Sequence, residues 1–232
     1  MLRAVGQPFD VHEMDPDTVA RAAGILKQWQ ENGCPEGDAK NKINVPAFPV
    51  GSAIGKPNLV LKLEQPYKIA GDNNDKFLLM KFPYQLDRDT FIRCIEFVAG
   101  NKQLLHHANV HMISYADNAK KNVFKGEHVL PSWGFDRKKA FELMDIPNDD
   151  GTYPLLTTSV TNYLPGMEPY YFPDHIGGYY MSKKGAFLIN DVHYGPSPKD
   201  TTDFSYLNVF FMPHPPERPV KELILGTLGV SA

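Results

Sequence analysis

Two adjacent histidines, His106 and His107, stand in the apolar run Gln103-Leu-Leu-His-His-Ala-Asn-Val-His-Met112. A third, His193, stands 86 residues beyond His107 in Leu188-Ile-Asn-Asp-Val-His-Tyr-Gly195. Neutral imidazoles are the commonest transition-metal ligands, and three of them suit copper or zinc. Both runs read as strands. Neighbouring side chains of a strand point to opposite faces. For His106 and His107 to share one ion, one side chain must swing round or a bulge must realign the strand. His193, arriving from a distant strand, would then tie the pair together.

The remaining candidates carry weaker signals. His111 lies on the face of His107 but about 13 Å further along the strand, which makes it an alternative ligand at best and a structural or surface histidine by default. His175 and His214 read as exposed loop and tail residues, and His12 and His128 have no neighbouring signal. Met112, Met181 and Met212 read as core residues, with Met112 the one to watch because Cu(I) favours soft donors. Cys94, in an alternating strand, reads as a small buried apolar residue. The aromatic group Tyr163, Tyr170, Tyr171, Phe172, Tyr179 and Tyr180 reads as sheet and core packing, with a substrate wall as the alternative. No Gly-x-Ser-x-Gly elbow, phosphate-binding glycine loop or Cys-x-x-Cys occurs. That speaks against serine-type nucleophilic catalysis and nucleotide binding, and it excludes a cysteine zinc ribbon and covalent haem attachment. A hydrolytic zinc site on the same three histidines remains open, with Asp191 as its one obvious base.

The elements that must position these residues are mostly strands. The chain has 232 residues, 42% of them hydrophobic, with 14 Phe and 11 Tyr, enough for a sizeable core. Its net charge of −3, without blocks of like charge, points to neither a nucleic-acid nor an anionic-membrane partner. Apolar runs are far shorter than the roughly 20 residues of a membrane span. The first residues lack the apolar stretch of a signal peptide. Two cysteines, Cys34 and Cys94, make no disulfide framework. One long amphipathic helix is predicted over 15–32, with Asp15 as N-cap, Pro16 at the first position, Asn32-Gly33 as its end, and Val19, Ala22, Ala23, Leu26 and Trp29 on one face. A glycine- and proline-rich linker follows. From Lys56 onward, strands are predicted at 59–63, 76–82, 91–98, 104–114, 178–181, 186–193 and 207–212, punctuated by turns. Between 115 and 165 the signal weakens, apart from a short helix at 137–144. The expected fold is a mostly-β, antiparallel, jelly-roll-like sandwich with a short N-terminal helix.

The order of motifs resembles the copper type II, ascorbate-dependent monooxygenase family (peptidylglycine α-hydroxylating and dopamine β-monooxygenase-like), bacterial branch. Beyond the histidines, the resemblance rests on Ile54-Gly-Lys-Pro-Asn-Leu-Val-Leu61, Arg93-Cys-Ile-Glu-Phe-Val-Ala-Gly-Asn101, Leu164-Pro-Gly166, Phe172-Pro-Asp-His-Ile-Gly177 and His193-Tyr-Gly-Pro-Ser-Pro198. These cover about residues 54–215 in order. The resemblance implies two β domains with one copper each. The first, electron-transfer copper would be held by His106, His107 and His193, with no catalytic residue in this domain alone. The second, oxygen-activating copper would need a His-x-His motif and a distant methionine, and no His-x-His occurs here. The family's disulfides also have no counterpart. Asp191 stands where relatives often carry glutamine, a change next to the ligands that would alter the copper's surroundings. Asn32-Gly-Cys-Pro-Glu-Gly-Asp38 resembles the end of a cytochrome c domain. The expected organisation is therefore a helical remnant at 1–38, a linker at 39–53, a copper domain at 54–218 and, at 219–232, the start of a connection to a missing second domain. The implied partners are ascorbate or a cytochrome c domain as reductant, and that second copper domain. The implied location is extracytoplasmic. The alternative is a non-catalytic metal-binding or structural sandwich module.

Overall fold

Short apolar runs broken by Gly, Pro, Asn and Asp cannot sustain helices, and in the computed structural model they pair as strands. It describes residues 15–38, 52, 54–134 and 136–222. The strands are β1 (Leu59–Lys62), β2 (Tyr67–Ile69), β3 (Lys76–Gln85), β4 (Thr90–Val98), β5 (Leu105–Ser114), β6 (Val129–Pro131), β7 (Leu155–Tyr163), β8 (Tyr179–Met181), β9 (Lys184–Tyr194), β10 (Thr201–Asp203) and β11 (Tyr206–Phe211). The helices are α1 (Pro16–Glu31) and α2 (Arg137–Leu143). The chain is mostly β and antiparallel, as its pattern predicts.

The chain divides into two units, Met1–Phe48 and Pro49–Ala232. In the first, the Asp15 carboxylate accepts the Asp17 and Thr18 backbone N–H groups at 3.0 Å each, capping α1 with Pro16 at its first position. Gly33, at φ 77°, follows the C-cap Asn32. The predicted apolar stripe is present, but Val19, Leu26 and Trp29 are exposed. The predicted linker lies almost wholly outside the described residues.

In the second unit, a four-stranded sheet of order β1-β11-β4-β8 and a five-stranded sheet of order β6-β3-β9-β5-β7 enclose the main core, and β10 pairs with β2. Leu61, Ile92, Ile95, Phe97, Leu207 and Val209 come from the first sheet. Leu78, Met80, Phe82, Ala108, Val110, Phe187, Ile189 and Tyr194 come from the second. A further core lies beyond, where Ile113, Tyr115, Leu130, Ala140, Met144, Ala186 and Leu188 pack together. Lys81, 1% exposed, points into that region, and its Nζ donates to the carbonyls of Lys125 and Met144, the C-cap of α2. All seven predicted strands and the short helix are present. β2, β6, β7 and β10 were not foreseen.

Candidate metal centre

Regular pleating would bury one of His106 and His107 and expose the other. Along β5, Leu105, Ala108, Val110 and Met112 are buried, so the inward parity changes between 105 and 108. The ladder to β9 shows the cause: Leu105 faces Tyr194 and His107 faces His193, two steps on β5 against one on β9. His106 is the extra residue of a bulge, and both histidines fall on the outer side of the sheet. A second bulge on β9 complements it. His107 faces His193 and Asn109 faces Asn190, while against β3 Leu78 faces Val192 and Met80 faces Ile189. The extra residue lies around Asp191, which takes φ 57°, a left-handed conformation that Asp tolerates better than most residues.

The three imidazoles are brought together. The His193 ring lies 4.7 Å from that of His106 and 5.0 Å from that of His107, both near edge-on. Across the other ladder Phe77 faces His193, and the two rings stack at 4.1 Å and 8°. Trp133 meets Phe77 edge-on at 5.3 Å. His193 Nε2 donates to Asp75 Oδ1 at 2.7 Å, and His107 Nε2 donates to Asp191 Oδ2 at 3.2 Å. Gly195 makes room for His106: a Cβ there would stand 2.7 Å from His106 Nε2. Its backbone N–H donates to the Leu104 carbonyl at 2.8 Å, fixing the approach.

As a donor set, three clustered imidazoles backed by carboxylates suit copper or zinc. A nitrogen that donates Nε2–H to a carboxylate keeps Nδ1 as the lone-pair nitrogen of a neutral ring. Among the described residues, no three His, Cys, Asp or Glu side chains stand with their donor atoms already converged as around an ion. Asp75 and Phe77 escape a reading of sequence because Asp72-Asn-Asn-Asp75 looks like any polar turn, and only the pairing of β3 with β9 brings it to His193.

The other candidates lie elsewhere. His111 Nδ1 accepts the Ser159 backbone N–H at 3.3 Å, away from the cluster. Burial, then the charge of Arg137, lowers its pKa. His175 and His214 are exposed, and His128 Nε2 donates to the Phe124 carbonyl at 3.1 Å. His12 lies outside the described residues. Met112, Met181 and Met212 are buried core residues, and Cys94 is buried, its thiol pushed up to about 12 by burial and then by Glu96. Tyr163 and Tyr179 pack against the main core, while Tyr170, Tyr171 and Tyr180 are exposed; Arg93 lies 4.3 Å over the Tyr171 ring.

Fold and site thus define an antiparallel β-sandwich that presents a histidine triplet on the outside of its five-stranded sheet. Compared with protein-family models, with curated proteins and with solved structures, the chain matches none.

Proposed function

We propose that this chain carries the copper-binding, electron-transfer domain of a copper-dependent monooxygenase, with His106, His107 and His193 as ligands of one copper ion. The observation that supports it most is the β5 bulge, which turns two adjacent histidines to the same side and sets them beside His193. A register fault in the middle of a sheet weakens the ladder, and structural histidines alone give no reason to keep one there. Copper held by three imidazoles supplies a one-electron store cycling between Cu(I) and Cu(II). The chain's own residues do the rest. Asp75 and Asp191 fix the tautomer and orientation of His193 and His107, Phe77 holds the His193 ring in plane, and Gly195 admits the His106 ring. In this reading ascorbate or a cytochrome c domain is the reductant, a second copper domain activates O₂ for C–H hydroxylation, and the protein works outside the cytoplasm. No helix among the described residues is long and apolar enough to cross a membrane.

A second reading, a structural or non-catalytic metal-binding sandwich, draws on the same hydrogen bonds: Nε2 of His107 and of His193 is already satisfied by a carboxylate. Copper loading of the purified chain, followed by metal analysis and electron paramagnetic resonance, separates the two. One equivalent with a type 2 spectrum, lost in His193→Ala, is expected. Zinc uptake in preference to copper would favour the hydrolytic alternative, and no stoichiometric metal would favour a structural role.

A further inference from the structure

The outer face that carries His107 continues along β5 to His111, where a cavity of about 370 Å³ opens beside α2. It holds about a dozen liquid-water volumes and lies in the size range of small-molecule sites. Part of its lining is apolar, with Phe141, Leu156 and Leu188. The rest includes hydrogen-bonding groups that the fold leaves unspent. Arg137, the first residue of α2, is exposed, and among the described residues no carboxylate pairs with its guanidinium. Ser132 Oγ is buried with no hydrogen-bond partner among them. His111 accepts at Nδ1 from Ser159, so its neutral ring offers Nε2–H as a donor, and its burial favours that neutral form.

Among the described residues, no acidic side chain belongs to the lining. The carboxylate whose charge reaches His111 is that of Glu222, and it takes up the backbone N–H and hydroxyl of Thr158. One guanidinium with neutral donors beside it matches a single negative charge spread over two oxygens, since a guanidinium presents paired N–H groups to a carboxylate. A phosphate dianion would ask for more cations than are here. The apolar wall asks for a body without polar groups.

We propose that this cavity binds a small organic monocarboxylate with an aromatic body, its carboxylate on Arg137 and His111 and its ring against Phe141, Leu156 and Leu188. The site is separate from the histidine triplet and does not depend on metal.

The test is isothermal titration of the whole chain, kept metal-free with a chelator, against benzoate, phenylacetate and 3-phenylpropionate, with acetate and 3-phenylpropionamide as controls. At least one of the three aromatic acids is expected to bind saturably, one per chain, and to shift the His111 ring signals in NMR while leaving those of His128 in place. The amide and acetate should bind at least tenfold more weakly than the best acid. Arg137→Gln, at an exposed position, should weaken the acid at least tenfold, while Lys68→Gln, an exposed lysine on β2, should not. The proposal is overturned if none of the three acids binds, if acid and amide bind alike, or if Arg137→Gln binds as the wild type does.

Discussion

At the residue scale, each imidazole of the triplet has a close neighbour: Asp75 for His193, Asp191 for His107 and Gly195 for His106. Asp75 is exposed and accepts from His193 Nε2 at 2.7 Å, so removing it threatens the ring's orientation more than the fold. Carboxylates behind ligating histidines are typically worth about 10–100-fold in metal affinity. Asp75→Ala is therefore expected to weaken copper by that order in a chelator competition while leaving the denaturation midpoint nearly unchanged; equal copper affinity would demote the pair to a surface contact. Gly195 gives a steric version of the same test. Its φ is not left-handed, so alanine suits the backbone, but the new methyl would stand 2.7 Å from His106 Nε2. The ring must then move. Gly195→Ala should cost at most about 1 kcal/mol of stability yet broaden or abolish the copper spectrum. An unchanged spectrum would show that His106 is not a ligand. The three histidines were legible in the sequence because their type and adjacency are unusual; their carboxylates were not, because Asp75 and His193 lie 118 residues apart and no local pattern encodes cross-strand register.

At the element scale, the doubled histidine flags an irregularity: for both rings to serve one site a side chain must swing round or the strand must bulge, and the register of β5 against β9 takes the second route. Strand β7 gave no such warning. It is an edge strand in which Val160 alone is buried, and its ladder to β5 jumps near Ser159, at φ 54°, so the period-2 pattern that reveals a strand is missing. Helix α2 was legible, but the lysine that holds its end was not. Lys81 lies on β3, and burial lowers its pKa to about 8 from an ordinary 10.5, with Asp145 partly opposing the fall. Below pH 8 both folded and unfolded chains carry this proton, and the cost of burying the charge is fully present. From about pH 8 to 10.5 the folded chain has released the proton while the unfolded chain still holds it, so this group makes stability rise with pH. Cys94 acts in the opposite sense above pH 9, because the folded thiol keeps its proton up to about 12. The informative quantity is thus the difference between wild type and Lys81→Met: urea midpoints should show the wild type gaining on the variant from pH 8 upward, and parallel curves would mean that Lys81 is not titrating there.

At the scale of the whole molecule, the triplet joins strands that are already neighbours in the middle of the five-stranded sheet, with the main core directly behind it through Ala108, Val110, Val192 and Tyr194. Tyr194 is tied down in turn: its hydroxyl donates to Asp203 at 2.9 Å, and the same carboxylate accepts the Asn101 and Ser205 backbone N–H groups at 2.6 and 2.9 Å. The folded chain therefore presents three imidazoles at small separation, whereas unfolding leaves His107 and His193 at opposite ends of a loop of 86 residues, whose closure costs entropy. An ion that takes all three must bind the native state far better than the unfolded one and stabilise it by mass action. At a free concentration about a hundred times its dissociation constant, copper should add about 2.7 kcal/mol, which for a domain of this size raises the melting temperature by roughly 5–10 °C. The shift should vanish in His193→Ala and on adding a chelator. If wild type and variant gained equally, the ion would be binding elsewhere on the surface, and the bulged strands would be a feature of the sandwich alone.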